Sequence, residues 1–540
     1  MTKSDNTGAD GHGGDKGHMS FSHLRNNTDP KWWRDPGLRT NVFHCLGLYL
    51  CVFYLGYDAS LINGLQQITK WQDYFDHPSS SRLGLIAASL FLPAIITSFI
   101  SSAVNDHWGR KPALAIGSIL LIAGGFVNAF ANSTGVFIAG RVLIGCGGPF
   151  GKITAVALLQ EIAHPRLRPI LSSSYYCNYY LGSIFSAWIT YGTLGWDSDW
   201  SWRFPCLLQV VAPTLVLGHL FIIPESPRWL VHHGKEDKAL AILAKYHANG
   251  EVEDELIRYE YEEICYAIQQ EEENKRTRFT DFFATPGNRR RLLVLLTMAT
   301  GSAWVGNGII TYYLSPALKL VGITSNRQIS GINGGIAIWN FFLSYGGSLN
   351  AERAGRRKLW LTSTIGMLIS YVILTGLSGG FATSHNHAVG IATVPMLFIY
   401  YGFYDIGWTP LPFSYGAEIL PYHMRLKGLS IQLSVQSVAQ AFNQWVNPVA
   451  LASIAWKYYI VYIATITMYL VLVILFFPET RYLTVEEVSV IFDKGRLATA
   501  ADATAEFQAS HVTKEASLER AVTEDGKPAS AHAENVTTIV

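Results

Sequence analysis

The chain has 540 residues, of which 49% are hydrophobic and 15% charged, with a net charge of +1. An ordinary soluble domain carries about 25% charged residues, and a soluble chain this long would divide into domains joined by polar linkers. No basic patch interleaved with aromatics suggests nucleic acid, and the charges instead cluster between long apolar runs, the pattern of a polytopic membrane protein.

In chain order, residues 1–41 begin "MTKSDNTGADGHGGDKGH", a polar stretch without the apolar core of a signal peptide, and predict a disordered tail. Six apolar runs follow at 42–65, 82–104, 112–132, 134–162, 170–194 and 204–223, making a first half over 42–223. Residues 224–290 are charged, with helical patterns in "KEDKALAILAKYHA" and "DELIRYEYEEICYAIQQEEE". They read either as a solvated linker or as a latch against the span ends. Six more runs, at 291–314, 329–350, 358–380, 389–414, 427–453 and 458–478, make a second half over 291–478. A polar tail, 479–540, closes the chain. Lys and Arg crowd alternate connections, such as Arg110–Lys111, Arg289–Arg291 and Arg356–Lys358. The positive-inside rule then places both termini in the cytoplasm. Five cysteines lie in apolar runs and Cys265 in a charged loop, so neither a disulfide nor a metal site is expected.

The halves repeat. "NDHWGRKPAL" after the second run matches "AERAGRRKLW" after the eighth, "QEIAHPRLR" after the fourth matches "AEILPYHMR" after the tenth, and "PESPRWL" matches "PETRYLT". Three ordered matches at similar offsets, of roughly 250 residues each, indicate a duplicated six-span unit. The expected fold is therefore an all-α polytopic membrane protein of the major facilitator architecture: 12 transmembrane helices in two pseudo-symmetric six-helix halves, with a site between them near the midplane.

Four charges fall inside apolar runs. Asp58 and Arg141 each lie a few residues from the outer end of their spans, at nearly equal depth if each residue rises about 1.5 Å. They read as a static buried pair or as a coupling site, because ionisable groups at membrane depth mark ion or proton pathways. Burial disfavours an ionised carboxylate and a neighbouring guanidinium favours it, so moving the arginine would switch Asp58 between holding and releasing a proton. Lys152 follows Arg141 by 11 residues, within about 20° of the same helix face. Asp405 lies at similar depth in the matching tenth run. Lys152 reads as the partner of Asp405 or of carbonyl groups, or else as a contact for an acidic substrate or sugar hydroxyls. "GCGGPFGKIT" is not a phosphate loop, since Cys146 and Ile153 occupy the positions that need Gly and Ser/Thr. Its glycines predict close helix packing.

These motifs resemble the sugar porter family of the major facilitators over residues 40–495. The signals are "DHWGRK", "GRVLIG", "PESPRWL", "ERAGRR", "PLPF" beside "GWTP", and "PET". "WVGNGIITYYL", "YDIGWTPL" and "NQWVNPVAL" are most similar to the fungal lactose and cellodextrin permease branch. The resemblance implies proton coupling through Asp58 and Arg141. It implies sugar binding by Asn307, Asn340, Gln436 and Asn443, with Asn178 and Gln440 as neighbours. Amides suit this role because each offers donor and acceptor without charge. Tyr312, Tyr313 and Trp408 are candidate stacking residues, and Phe413 stands where the family has tryptophan. The family's paired glutamines are here Ser302 and Ala303, and the fifth-span glutamine is Tyr176. The resemblance also implies a cytoplasmic ion-pair network of Asp106, Arg110, Glu161, Arg168, Glu225, Arg228, Glu352, Arg356, Glu418, Arg425 and Glu479, closing the outward-open state.

The expected activity is proton-coupled import of a sugar across the plasma membrane. Beside it stand transport of another small metabolite and nutrient sensing with weak transport. No nucleophile–base set suggests an enzyme. The expected partners are a small-molecule substrate and the bilayer, with no nucleic acid and no obligate protein partner. No cofactor is expected beyond the proton as coupling ion.

Overall fold

Asp35 and Pro36 start the first span. The aspartate side chain caps it by accepting from Leu38 N at 2.9 Å, and the proline supplies the preset first turn. The helix then runs without a break over Pro36–Leu65, about 45 Å at 1.5 Å per residue. The computed structural model describes residues 26–273, 278–480, 488 and 491–492. Most of both expected tails lies outside these residues, as do the side chains of Glu352 and Phe413.

Among the described residues there is no strand, and the helices form 12 spans in two six-helix halves. Eight helical stretches are long and apolar enough to cross a membrane by composition alone; Lys427–Phe476 is one of them and contains both the eleventh and the twelfth span. The fifth, sixth and eighth spans fall outside these eight, being broken or more polar. The second is Ser80–Ala88 followed by Ala94–Trp108, the third Arg110–Ala129 and the fourth Thr134–Ile162. The fifth is Arg168–Tyr175 plus Asn178–Thr193, and the sixth Trp200–Leu208 plus Val211–His219. The seventh is Pro286–Trp304 plus Asn307–Lys319, the eighth Asn326–Ala354 and the ninth Arg356–Ser384. The tenth is Thr393–Gly407 plus Leu411–Ile419, the eleventh Tyr422–Ile454 and the twelfth Tyr458–Phe476.

The glycine-rich fourth span packs as its sequence suggests. A Cβ on Gly147 would lie 2.6 Å from the Gly117 carbonyl oxygen of the third span, so this approach needs glycine. At the basic end the duplication is repeated atom by atom. Gly109 (φ 101°) opens the third span, and the Glu225 carboxylate accepts from Arg110 N and Lys111 N, both at 3.1 Å. Gly355 (φ 90°) opens the ninth, and Glu479 accepts from Arg356 N at 2.8 Å and Arg357 N at 3.1 Å. Each carboxylate sits on the positive end of a helix and satisfies two N–H groups that have no partner within it.

Between the halves, the helices Glu236–His247 and Glu255–Glu273 dock on the first half. His247 Nε2 lies 3.0 Å from Ile162 O and its Nδ1 2.6 Å from Glu260 Oε2, while Arg168 donates to Glu260 Oε1 at 3.2 Å. The segment before the first span joins this cluster. Asn26 donates to His247 O at 2.9 Å, and Asn249 donates to Asp35 Oδ2 at 2.8 Å.

Candidate functional site

The seventh span breaks where the halves face each other. Gly306 takes φ 99°, which a Cβ would disfavour, and the break leaves a run of carbonyls without helical partners. In a hydrocarbon-embedded chain each must be satisfied internally. Side chains do this one by one. Ser302 O accepts from Asn307 Nδ2 at 3.2 Å, Ala303 O from Asn443 Nδ2 at 2.7 Å and Trp304 O from Thr465 at 2.9 Å. Val305 O accepts from Tyr400 OH at 2.7 Å and Gly306 O from Tyr371 OH at 3.4 Å. The break is therefore built into the structure, and it turns Asn307 and Thr311 toward the middle of the molecule.

A cavity of about 230 Å³ lies there. Its walls come from the first, second, fourth and fifth spans and from their counterparts, the seventh, eighth, tenth and eleventh. Of the residues expected to bind substrate, Asn307, Tyr312, Asn340, Trp408, Gln436 and Gln440 line it. Three do not. Asn178 donates to Ser174 O at 2.9 Å and to Tyr345 OH at 3.2 Å. Tyr313 donates to Gln444 O at 2.7 Å, and Asn443 is spent on Ala303 O and on the Tyr462 hydroxyl, at 2.9 Å. The Phe413 side chain is outside the described residues.

Much of the remaining wall is tyrosine and hydroxyl. Tyr176, Tyr179, Tyr180, Ser183, Thr311, Tyr401, Tyr404 and Thr409 all reach the cavity. Apart from Tyr176, sequence reasoning passed over them. The available signal was the density of tyrosine in "SYYCNYYLG" and "YYGFYD" at mid-span. Together they supply hydroxyls to the cavity wall, and the tyrosines add flat faces.

The buried charges are arranged differently from their expected pairs. Asp58 is 3% exposed and Arg141 1%. Arg141 Nη1 donates to the main-chain carbonyl of Asp58 at 3.4 Å, and Asp58 Oδ1 has no hydrogen-bond partner. Lys152 lines the cavity and donates to Gln436 Oε1 at 3.2 Å, a bond across the two halves. The expected pairing of Lys152 with Asp405 is corrected: the Asp405 carboxylate instead accepts from Tyr180 OH at 2.5 Å and Thr409 Oγ1 at 2.8 Å. Hydroxyl groups within reach of the tenth span satisfy it without a cation.

At the basic end, Arg110 makes a bidentate pair with Glu161 at 2.8 and 2.9 Å, and Arg356 meets Glu418 Oε1 at 3.0 and 3.2 Å. Thr480 donates to the other Glu418 oxygen at 2.5 Å. These pairs lie within one half each. Arg168 turns to Glu260 of the connecting helices, and the Asp106 carbonyl accepts from Trp229 at 3.0 Å. Arg228 follows Pro227 in the short helix Pro227–His232, and Arg425 lies in the first turns of the eleventh span. The Glu352 side chain is outside the described residues. Besides the bonds at the depth of the cavity, three more join the halves at the opposite end: Asn63 Nδ2 to Asn333 Oδ1 at 3.0 Å, Gln66 to Tyr312 O at 2.7 Å, and Asn326 to Gln67 O at 2.9 Å.

Residues 44–492 match the sequence model described as "Sugar (and other) transporter". The MFS-type transporter criB of Aspergillus cristatus is 25% identical, over 82% of this chain and 91% of its own. The high-affinity glucose transporter of Kluyveromyces lactis is 26% identical, over 82% and 84%. Among solved structures, the partially occluded inward open conformation of the xylose transporter XylE from E. coli superposes with a TM-score of 0.70 at 21% identity, over 82% of this chain and all of that one. This likeness is one of fold.

Proposed function

The chain belongs to the sugar (and other) transporter family, and on that premise we propose that it is a proton-coupled sugar transporter working by alternating access. It carries substrate without changing it chemically, sits in the plasma membrane and keeps both termini in the cytoplasm. The observation that carries this reading is the cavity shared by the two halves, walled by Asn307, Asn340, Gln436, Gln440 and several tyrosine hydroxyls. Amides and hydroxyls both donate and accept, which fits a neutral polyol. The glucose specificity named for the Kluyveromyces lactis relative agrees with it.

In the conformation described, the bonds Asn63–Asn333, Gln66–Tyr312 and Asn326–Gln67 hold the external end together, while the Arg110–Glu161 and Arg356–Glu418 pairs stay within their own halves at the cytoplasmic end. This arrangement supports an inward-facing state. In the outward-facing state the proposed cytoplasmic network would re-form across the halves. Asp58, beside Arg141 but touched by it only at its carbonyl, serves as the carboxylate that takes up and releases the coupling proton.

Lys152 favours a second reading. An ammonium group on the cavity wall gives a neutral sugar only hydrogen bonds, whereas an anionic ligand gains charge-assisted ones. One experiment separates the readings: uptake of a labelled panel of neutral sugars and sugar acids into transporter-deficient cells, with and without a protonophore. Accumulation of a neutral sugar that the protonophore abolishes is expected. Uptake confined to the acids would favour the metabolite-anion reading, and accumulation insensitive to the protonophore would remove proton coupling.

A further inference from the structure

Asp405 is fully buried in the tenth span, directly behind the cavity wall. Three neutral donors converge on its carboxylate. Tyr180 OH and Thr409 Oγ1 reach Oδ1 at 2.5 and 2.8 Å. The Asn340 amide, oriented so that its NH2 faces acceptors rather than donors, reaches Oδ2 at 3.2 Å and Ile336 O at 3.1 Å. Among the described residues no Lys, Arg or His makes an ion pair with it. This differs from Asp58, which has an arginine beside it and an unbonded oxygen.

Two features of this cluster matter together. All three donors line the cavity while the carboxylate does not, so a substrate meets the donors first. Tyr180 belongs to the first half, and Asp405, Asn340 and Thr409 to the second, so the Tyr180–Asp405 bond ties the halves together at the depth of the cavity. Other titratable groups near Asp405 are engaged elsewhere. Tyr404 donates to Ser302 O at 3.3 Å and Tyr401 to Asn307 O at 3.2 Å. Cys177 precedes Asn178 on the fifth span, and Lys152 on the cavity wall bonds Gln436.

We propose that Asp405 is a second proton-coupling carboxylate, which takes up a proton when sugar draws the Asn340 amide away and thereby loosens the Tyr180 tie between the halves. This rests on the reading of the chain as a proton-coupled sugar transporter. A carboxylate stabilised only by hydrogen bonds to its charged form holds that form less well when one donor is withdrawn. A sugar hydroxyl competing for Asn340 does this. The proton comes from water in the cavity. Once protonated on Oδ2, where Asn340 has left, Asp405 is neutral, so the bonds that Tyr180 and Thr409 donate to Oδ1 are no longer charge-assisted. The short bond from Tyr180 weakens, and the halves are freed to rock. Release of sugar on the other side returns the amide to Asp405 and expels the proton there.

The test uses the purified full-length protein and a neutral sugar that the wild type transports. Binding is followed by intrinsic tryptophan fluorescence from pH 5 to 8, and proton uptake per sugar bound by a pH-sensitive dye. Asp58→Asn is expected to retain pH-dependent binding with reduced proton uptake. Asp405→Asn is expected to lower proton uptake by a similar share, and the double variant to bind sugar without pH dependence. Tyr180→Phe removes one donor to the charged carboxylate, so its pH midpoint should move upward by about one unit. It serves as the deciding variant if Asp405→Asn does not fold. The inference is overturned if Asp405→Asn matches the wild type in both readouts, if Asp58→Asn alone removes all pH dependence, or if the Tyr180→Phe midpoint stays put. A wild-type protein that binds no neutral sugar overturns the transport reading itself, and this inference with it.

Discussion

A carboxylate at membrane depth costs several kcal/mol unless something holds it, and Asp58 and Asp405 are held in different ways. Asp58 has Arg141 nearby but receives no hydrogen bond on Oδ1, because Arg141 reaches its carbonyl instead. That leaves the acid poised to exchange a proton without first breaking an ion pair. Asp58→Asn should therefore sharply lower accumulation of sugar against a gradient, leaving only what Asp405 can drive, while exchange of internal for external sugar stays largely intact. Accumulation and counterflow in proteoliposomes check this, and undiminished accumulation by the variant would place the coupling elsewhere. Asp405 is satisfied by hydroxyls and an amide, and Lys152 bonds Gln436. A true buried pair would tolerate joint removal better than loss of one member. Since these two are not paired, Lys152→Met with Asp405→Leu should transport no better than the poorer single variant, in expression-normalised uptake. Rescue in the double variant would restore the pairing expected from sequence. The sequence identified all four charges and placed Arg141 beside Asp58, where it lies, but it did not give the partners of Lys152 and Asp405. Partner choice depends on rotamers and on tyrosine hydroxyls from other helices, which no periodicity reports.

At the scale of elements, the helices connecting the halves carry the clearest dependence on pH. Burial would push the Glu260 carboxyl up, but the His247 ring and the Arg168 guanidinium outweigh it and hold it below its ordinary 4.5. Burial and the neighbouring His247 ring push the His164 imidazole down from 6.5 to about 3. The signs follow from linkage. A histidine with a lowered value takes up its proton more readily when the helices undock, so docking weakens as pH falls below about 6.5. The stabilisation from ionised Glu260 persists above about 4.5 and is lost only below that. Between those values the erosion belongs to His164. Hydrogen exchange across Glu255–Glu273, corrected for intrinsic rates, should show falling protection from pH 7.5 to 5.5, and His164→Gln should flatten the trend. Unchanged protection in the wild type would mean that His164 is not reached by protons in the undocked state. Element boundaries were largely legible. The short "ANSTG" turn does separate the third and fourth spans, with Ser133 accepting from Val136 N as the cap of the fourth. The breaks were harder to read. Gly306 looks like any glycine until its neighbour Asn307 and four side chains from other spans satisfy the carbonyls that its conformation frees. The same break decides which amides face the cavity, and Asn443, expected to bind sugar, here donates to Ala303 O and accepts from Tyr462.

For the whole molecule, the duplication visible in "GRK" and "GRR" predicted two equivalent helix starts, and Glu225 and Glu479 occupy them with matching bonds. The rotation of each span was not legible closely enough to separate a cavity residue from its neighbour, about 100° round the helix, as Tyr312 and Tyr313 show. Nor could the sequence say which end is closed, because the energy difference between alternate states of a transporter is small beside the energy of either. The hydrogen bonds that join the halves answer this for the conformation described. Asn63 and Asn333 meet directly at 3.0 Å, one on each half, at the end away from the basic clusters. If alternating access requires this end to part, fixing it should stop transport without disturbing the fold. Cysteines at both positions, oxidised by copper phenanthroline, should cross-link and reduce uptake to background, and a reductant should restore it. Each single cysteine variant, treated identically, should keep its activity, which controls for the native cysteines. The hydrogen-bonded side chains place the two positions within reach of a short bismaleimide, and a disulfide, whose Cβ atoms lie about 3.5–4.5 Å apart, forms when the two spans move slightly closer. Uptake that persists in the fully cross-linked protein would show that the halves need not separate at Asn63 and Asn333. The rocking description would then give way to local movements of the broken seventh and tenth spans about the cavity.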